Sequence, residues 1–245
     1  MDFVSGEIIA VDKPLHWTSF DAVKRLRGAL QRRLGVRKFK VGHAGTLDPL
    51  ATGVLIVCTG RATRSIDTLQ AGDKEYVATL RLGATTPSFD LETEIDATFP
   101  TAHITPELLE EVLSRFRGHI AQVPPVYSAV KIDGKRAYKF ARRGQEVELK
   151  AKPLEIKELE VEEMDLSGAE PWVRLRIVCG KGTYIRALAR DIGRELGSGA
   201  HLTALRRTRV GQYPIDRCLS LDQALELIER VDITFPDDYT PPKAN

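Results

Sequence analysis

The residues best placed to do chemistry lie in His43-Ala44-Gly45-Thr46-Leu47-Asp48-Pro49-Leu50-Ala51-Thr52-Gly53, where one carboxylate, Asp48, stands just ahead of an apolar run. Glycines at 42, 45 and 53 permit dihedrals or close approaches that a side chain would block. Pro49 disfavours an α conformation at Asp48. Together they predict a shaped loop presenting a single carboxylate, the arrangement a nucleophile or a base requires. By itself an Asp-Pro pair is an ordinary turn signal. Glycoside hydrolysis normally uses two carboxylates flanking the scissile bond, and this motif supplies only one.

The elements that must hold the loop are partly readable. Residues 6–11 read as a strand. Thr18 or Ser19 then caps a helix whose apolar positions Phe20, Val23, Leu26, Leu30 and Leu34 follow a helical period up to Gly35. Residues 54–58 form a continuous apolar run typical of a buried strand, and 75–82 alternate as another. Thr105-Pro106-Glu107 opens a helix, with Gly118 expected to close it. Residues 122–148 are Pro-rich and then basic, with an Asp133-Gly134 turn signal, and read as an excursion from the core. Val161 and residues 173–179 lie in strand-like stretches. Residues 183–196 have a helical period with Gly197 as its stop, and 220–230 form a last amphipathic helix before a loose proline-containing end. There is no regular βαβ rhythm, glycine-rich phosphate fingerprint or internal repeat, so the pattern predicts a mixed α+β fold rather than a doubly wound one.

With 42% apolar and 29% charged residues, the 245-residue chain has the composition of a globular protein able to bury a core. No run approaches the roughly 18 apolar residues of a membrane span, and the N-terminus lacks the features of a signal peptide, so a cytoplasmic protein is expected. Cys58, Cys179 and Cys218 are far apart and are expected to be reduced thiols. The histidines show no metal-ligand spacing. A net charge of +2 hides strong segregation. Lys24, Arg25, Arg27, Arg32, Arg33, Arg37, Lys38 and Lys40 form one basic block. Lys131, Lys135, Arg136, Lys139, Arg142 and Arg143 form a second, and Arg206, Arg207 and Arg209 a third. The acids gather at Glu155, Glu158, Glu160, Glu162, Glu163 and Asp165 and in the tail. Such separation is the electrostatic footprint of a protein with a polyanionic partner.

The loop segment resembles the catalytic motif of the TruB family of pseudouridine synthases, and further segments match in the same order. These are Gly6-Glu7-Ile8-Ile9-Ala10-Val11-Asp12-Lys13-Pro14 with Thr18-Ser19, Gly60-Arg61-Ala62-Thr63-Arg64, Lys74-Glu75-Tyr76, and Pro124-Pro125-Val126-Tyr127-Ser128-Ala129-Val130-Lys131. Gly182-Thr183-Tyr184-Ile185-Arg186 follows, with Asp191, Gly193, Leu196 and Gly197, and residues 201–211 continue it. The resemblance implies a pseudouridine synthase fold, with a mostly antiparallel mixed sheet flanked by helices. It also implies isomerisation of uridine in RNA, at position 55 of the tRNA T-loop, without cofactor or metal. Asp48 is then the essential carboxylate, and Arg186 the guanidinium that favours its ionised form against desolvation. His43 inserts beside the extruded nucleotide, Tyr76 stacks on the uracil, and Tyr184 and Leu205 belong to the substrate site. Lys131, Lys135, Arg136, Lys139, Arg142 and Arg143 grip RNA phosphates from the insertion at 122–148. The implied division is a catalytic domain at 1–219 and a short C-terminal helix and tail at 220–245 without the PUA domain of many relatives. Nothing in the sequence requires more than a monomer. Two departures stand out: His16 occupies a position where the family usually has glycine, and Gly180 replaces a small hydroxyl residue. A non-catalytic RNA-binding or tRNA-folding protein would use the basic blocks equally well, but would not need Asp48, Tyr76 and Arg186 together.

Overall fold

A computed structural model describes residues 1–128, 131–132, 135–136, 140 and 149–236, with backbone only at 131–132 and 135–136. The chain divides into two compact units, Met1–Lys74 with Arg206–Asn245, and Glu75–Leu205.

The first unit opens with strand β1 (Ile8–Lys13) and helix α1 (Ser19–Leu34). Thr18 and Asp21 form a capping box that satisfies free N–H groups at the helix start, and Gly35 ends the helix in the left-handed conformation at φ 65°. The buried stripe is Ser19, Ala22, Val23, Leu26, Ala29 and Leu30. Phe20, expected on that stripe, is instead 59% exposed, because Ala22 and Ala29 complete a face that lies one position away. Strands β2 (Val41–His43) and β3 (Ala51–Thr59) flank the Asp48 loop and pair antiparallel, His43 opposite Val57. Helix α2 (Ile66–Ala71) leads out of the unit.

In the second unit, β4 (Lys74–Leu82) is followed by a small pair, β5 (Ala84–Thr85) with β6 (Ala97–Thr98), and by helix α3 (Pro106–Ser114). Thr105 caps α3 as its sequence requires, but the helix ends at Arg115, where successive N–H groups turn back to Val112 and Leu113. Gly118, expected as the stop, instead begins β7 (Gly118–Gln122) at φ 85°. The strands β8 (Lys131–Ile132) and β9 (Lys135–Arg136) pair around positions 133–134, and that turn lies outside the described residues. The unit continues with β10 (Lys152–Asp165), β11 (Trp172–Cys179) and helix α4 (Ile185–Glu195). Strand β12 (Ala200–Val210) starts in this unit, and the hydrogen-bonded strand order there is β12-β4-β11-β10-β7. The acids of β10 face arginines across the ladder: Arg176 meets Glu158 at 2.6 Å and Glu160 at 3.0 Å, and Arg174 meets Glu163 at 2.5 Å.

The last residues of β12 belong to the first unit, where they pair with β13 (Tyr213–Pro214). There the order is β14-β1-β3-β12, with β14 (Leu219–Ser220) parallel to β1 and β3 antiparallel to it. Helix α5 (Leu221–Arg230), boxed by Ser220 and Gln223, packs Leu221, Ala224 and Ile228 with the inner face of α1 and with Val11, Leu55 and Val57. This cluster anchors both the helix before the Asp48 loop and the strand after it. Cys58 and Cys179 are buried free thiols, and Cys218 is a half-buried one. No helix is long and apolar enough to cross a membrane among the described residues.

Gly53, just past the loop, combines φ 104° with the backbone of Arg207, whose carbonyl oxygen lies 2.1 Å from where a Cβ would stand. Gly53→Ala is therefore expected to lower unfolding free energy by more than about 1 kcal/mol, read from urea denaturation.

Candidate active site

Within the first unit the Asp48 loop is fixed from three sides. From β12, Arg207 is only 1% exposed. Its guanidinium donates to Val54 O at 2.7 Å, Gly45 O at 3.1 Å and Thr46 O at 3.5 Å. From α1, the buried Ser19 hydroxyl donates to Leu47 O at 3.0 Å while its Oγ accepts from Leu47 N at 2.8 Å. From the turn after β1, His16 N donates to Pro49 O at 2.8 Å. His16 holds φ 65°, the left-handed region that favours glycine, which accounts for the family's usual residue there. Ala51 N closes a turn onto Asp48 O at 3.1 Å, and Gly45 takes φ 100°. The half-buried Asp48 thus sits in a loop whose carbonyls and amides are committed on both sides of it.

Two titratable neighbours register this environment. Lys13 is fully buried at the end of β1, its Nζ donating to Pro14 O at 2.8 Å and Trp17 O at 2.5 Å. Desolvation pushes its pKa down to about 8, with the Asp48 charge pulling it back up and the Arg207 charge opposing. Burial, and then the Arg207 charge, hold the His43 imidazole below its usual pKa, which keeps it neutral at pH 7.

In the second unit, Arg186 lies in the first turn of α4, 5% exposed, and donates to Ser88 O at 3.2 Å and Tyr127 O at 2.9 Å. Its Nε is 3.7 Å from the carboxylate of the buried Asp90. Tyr184 is the residue before α4. Gln122 of β7 grips its main chain from both sides, with Tyr184 N donating to Oε1 at 2.9 Å and Nε2 donating to Tyr184 O at 3.2 Å. Tyr76 is 8% exposed on β4, and Leu205 is half-buried on β12.

The structure therefore places Asp48 and His43 in the first unit and Tyr76, Tyr184, Arg186 and Leu205 in the second. The side chains of Lys131, Lys135 and Arg136 and the whole of Lys139, Arg142 and Arg143 lie outside the described residues. Of the third basic block, Arg207 is the correction to the sequence reading, since it is buried and spent on loop carbonyls; Arg206, partly exposed, pairs with Asp12 at 2.7 Å, and Arg209 donates to Gly211 O. Sequence reasoning missed Arg207, Ser19 and Gln122 as supports of the site. Among the described residues no cluster of His, Cys, Asp or Glu is arranged to hold a metal ion.

Comparison with known proteins fits this geometry. Residues 31–185 match the family model described as TruB family pseudouridylate synthase (N terminal domain), and residues 186–238 match the tRNA pseudouridylate synthase B C-terminal domain. The chain is 62% identical to a tRNA pseudouridine synthase B of Parabacteroides distasonis, covering 94% of this chain and 96% of that protein. It is 60% identical to the Bacteroides thetaiotaomicron protein of that name, over 97% and 99%, and 47% identical to one from a Mycobacterium species, over 98% and 82%. Among solved structures, a chain of the archaeal box H/ACA sRNP Nop10-Cbf5 complex aligns at TM-score 0.64 and 28% identity, covering 93% of this chain and 55% of that one. A chain of a Cbf5-Nop10-Gar1 complex aligns at 0.66 and 29%, over 92% and 55%. This chain thus spans about half the length of those solved chains. The fold is the mixed, mostly antiparallel fold of the pseudouridine synthases. The chain belongs to the TruB family of pseudouridylate synthases.

The buried Lys13 sets a pH test. Between pH 8 and 10.5 the unfolded chain retains a proton at Lys13 that the folded chain has released, so this residue makes stability rise with pH across that window. The difference in unfolding free energy between wild type and Lys13→Met should be flat below pH 8 and change above it, measured by urea denaturation across the range.

Proposed function

We propose that this protein isomerises a uridine of tRNA to pseudouridine, at position 55 in the T-loop, with Asp48 as the catalytic carboxylate. The reaction breaks the N1–C1′ bond, forms a C5–C1′ bond, releases a proton from C5 and leaves one on N1. It is redox-neutral and consumes no water, so the chemistry calls for no cofactor. The observation that carries this reading is the Asp48 loop itself, a carboxylate in a backbone held by Arg207, Ser19 and His16 within a chain matching its named relatives over nearly its full length.

The target base must leave its stack to be reached. Neutral His43 is suited to packing against an extruded nucleotide, and Tyr76 to stacking on the uracil. Arg186, Tyr184 and Leu205 are further substrate-binding residues. The Arg186 guanidinium donates to two backbone carbonyls and approaches Asp90. The insertion at 122–148, with Lys131, Lys135, Arg136, Lys139, Arg142 and Arg143, holds RNA phosphates and positions the substrate without reading sequence. The protein works as a monomer in the cytoplasm.

The direct test is release of tritium from tRNA transcripts labelled at uridine C5. Wild type is expected to release it only when the T-loop uridine is present, and Asp48→Asn is expected to bind the transcript normally and release none. Binding without release by wild type would overturn the enzymatic reading in favour of a non-catalytic RNA-binding protein.

A further inference from the structure

An open groove runs along the outer face of α1, with a cavity of about 460 Å³. Lys24, Arg25, Gly28 and Arg32 line it along the helix, and His16 and Trp17 close the end beside the Asp48 loop. That end is tied to the loop by the His16 to Pro49 bond and the Ser19 to Leu47 pair. From Asp21 to Arg32 the groove follows about 16 Å of helix, the span of several nucleotides. Its acid, Asp21, is occupied at the helix start, where its carboxylate accepts from the Thr18 hydroxyl at 2.5 Å and from Thr18 N at 3.1 Å.

Two independent features of this face exceed what folding needs. Lys24, Arg25 and Arg32 are exposed, while α1 is anchored entirely by its opposite face, so their charges add little to stability. The second is Gly28. In a helix interior glycine costs about 1 kcal/mol relative to alanine. Yet a Cβ at Gly28 would meet only Arg32 Nη1 at 3.6 Å, an ordinary contact, so intramolecular packing does not demand glycine. Its absent side chain lowers the groove floor between cations. On the adjoining stripe the exposed Phe20 has Arg27 5.8 Å from its ring centroid, adding an aromatic surface beside the cations.

We infer that this groove is an RNA-backbone site, seating phosphates of the substrate RNA beyond the nucleotides held at the Asp48 loop. The inference rests on the proposed tRNA reading. Lys24, Arg25 and Arg32 neutralise successive phosphates, and Gly28 lets the backbone approach the helix. Contacts of this kind give affinity and register without base specificity, and they carry the salt dependence of binding.

The test compares wild type, the triple variant Lys24→Gln/Arg25→Gln/Arg32→Gln, and Gly28→Leu. Each is assayed for tRNA affinity across a salt series and for single-turnover tritium release at saturating enzyme. The triple variant is expected to bind at least 10-fold more weakly at low salt, with the slope of log affinity against log salt shallower by about 2 to 3. Gly28→Leu changes no charge and favours the helix, so it should melt at or above the wild-type temperature while also binding more weakly. Saturated turnover should be unchanged in both. A wild-type slope in the triple variant, or wild-type affinity in Gly28→Leu, overturns the groove assignment even if all three proteins release tritium. Failure of wild type to release tritium would instead sink the functional reading, whatever the slopes.

Discussion

The buried guanidinium of Arg207 is the constraint on which the rest of the first unit's site depends. A loop that presents a carboxylate leaves backbone carbonyls without ladder partners, and buried carbonyls must be paired. Arg207 supplies a rigid fork of donors to Gly45, Thr46 and Val54, spanning both sides of Asp48 in the sequence. Hydrogen bonds to a charged group contribute roughly 1.5–3 kcal/mol each, enough for a few of them to select one loop conformation. The fork can reach those carbonyls only because Gly53 lets β3 press against the Arg207 backbone. Lys13 and Ser19 act similarly at the adjacent turn and helix end, so three elements converge on one short segment.

Helix α1 connects this arrangement to the basic groove. Its inner face is core, packed against α5 and the β1–β3 strands, and its first turn clamps Leu47. Its outer face is free of that duty and carries Lys24, Arg25 and Arg32 of the first basic block. One element therefore couples the position of the Asp48 loop to the surface on which a polyanion would lie. In the second unit a parallel economy holds: β7 contributes Gln122 to grip the residue before α4, and α4 contributes Arg186 from its first turn.

Much of this was legible locally. The capping box at Thr18, the left-handed Gly35, the apolar run of β3 and the glycines of the Asp48 loop are short-range signals, and each appears where the sequence places it. The misses share a cause. The sequence marks strand β10 only around Val161, and its full extent is masked by glutamates whose partners, Arg174 and Arg176 of the next strand, are visible only in the sheet. Phe20 fits a helical period that two alanines displace. Arg207 sits in an apparent surface cluster because its acceptors lie more than 150 residues earlier and are carbonyls, which carry no side-chain signature. The family resemblance named candidate substrate residues, but not the ones that hold the Asp48 loop in place.

The most direct measurement is the single-turnover rate of tritium release, alongside tRNA affinity, for Arg207→Lys. Lysine keeps a buried cation but cannot reproduce the fork to separate carbonyls. A loop misplaced by about 1 Å is expected to lower the rate on the order of 100-fold, with affinity close to wild type. A wild-type rate, or a loss confined to affinity, would contradict the account.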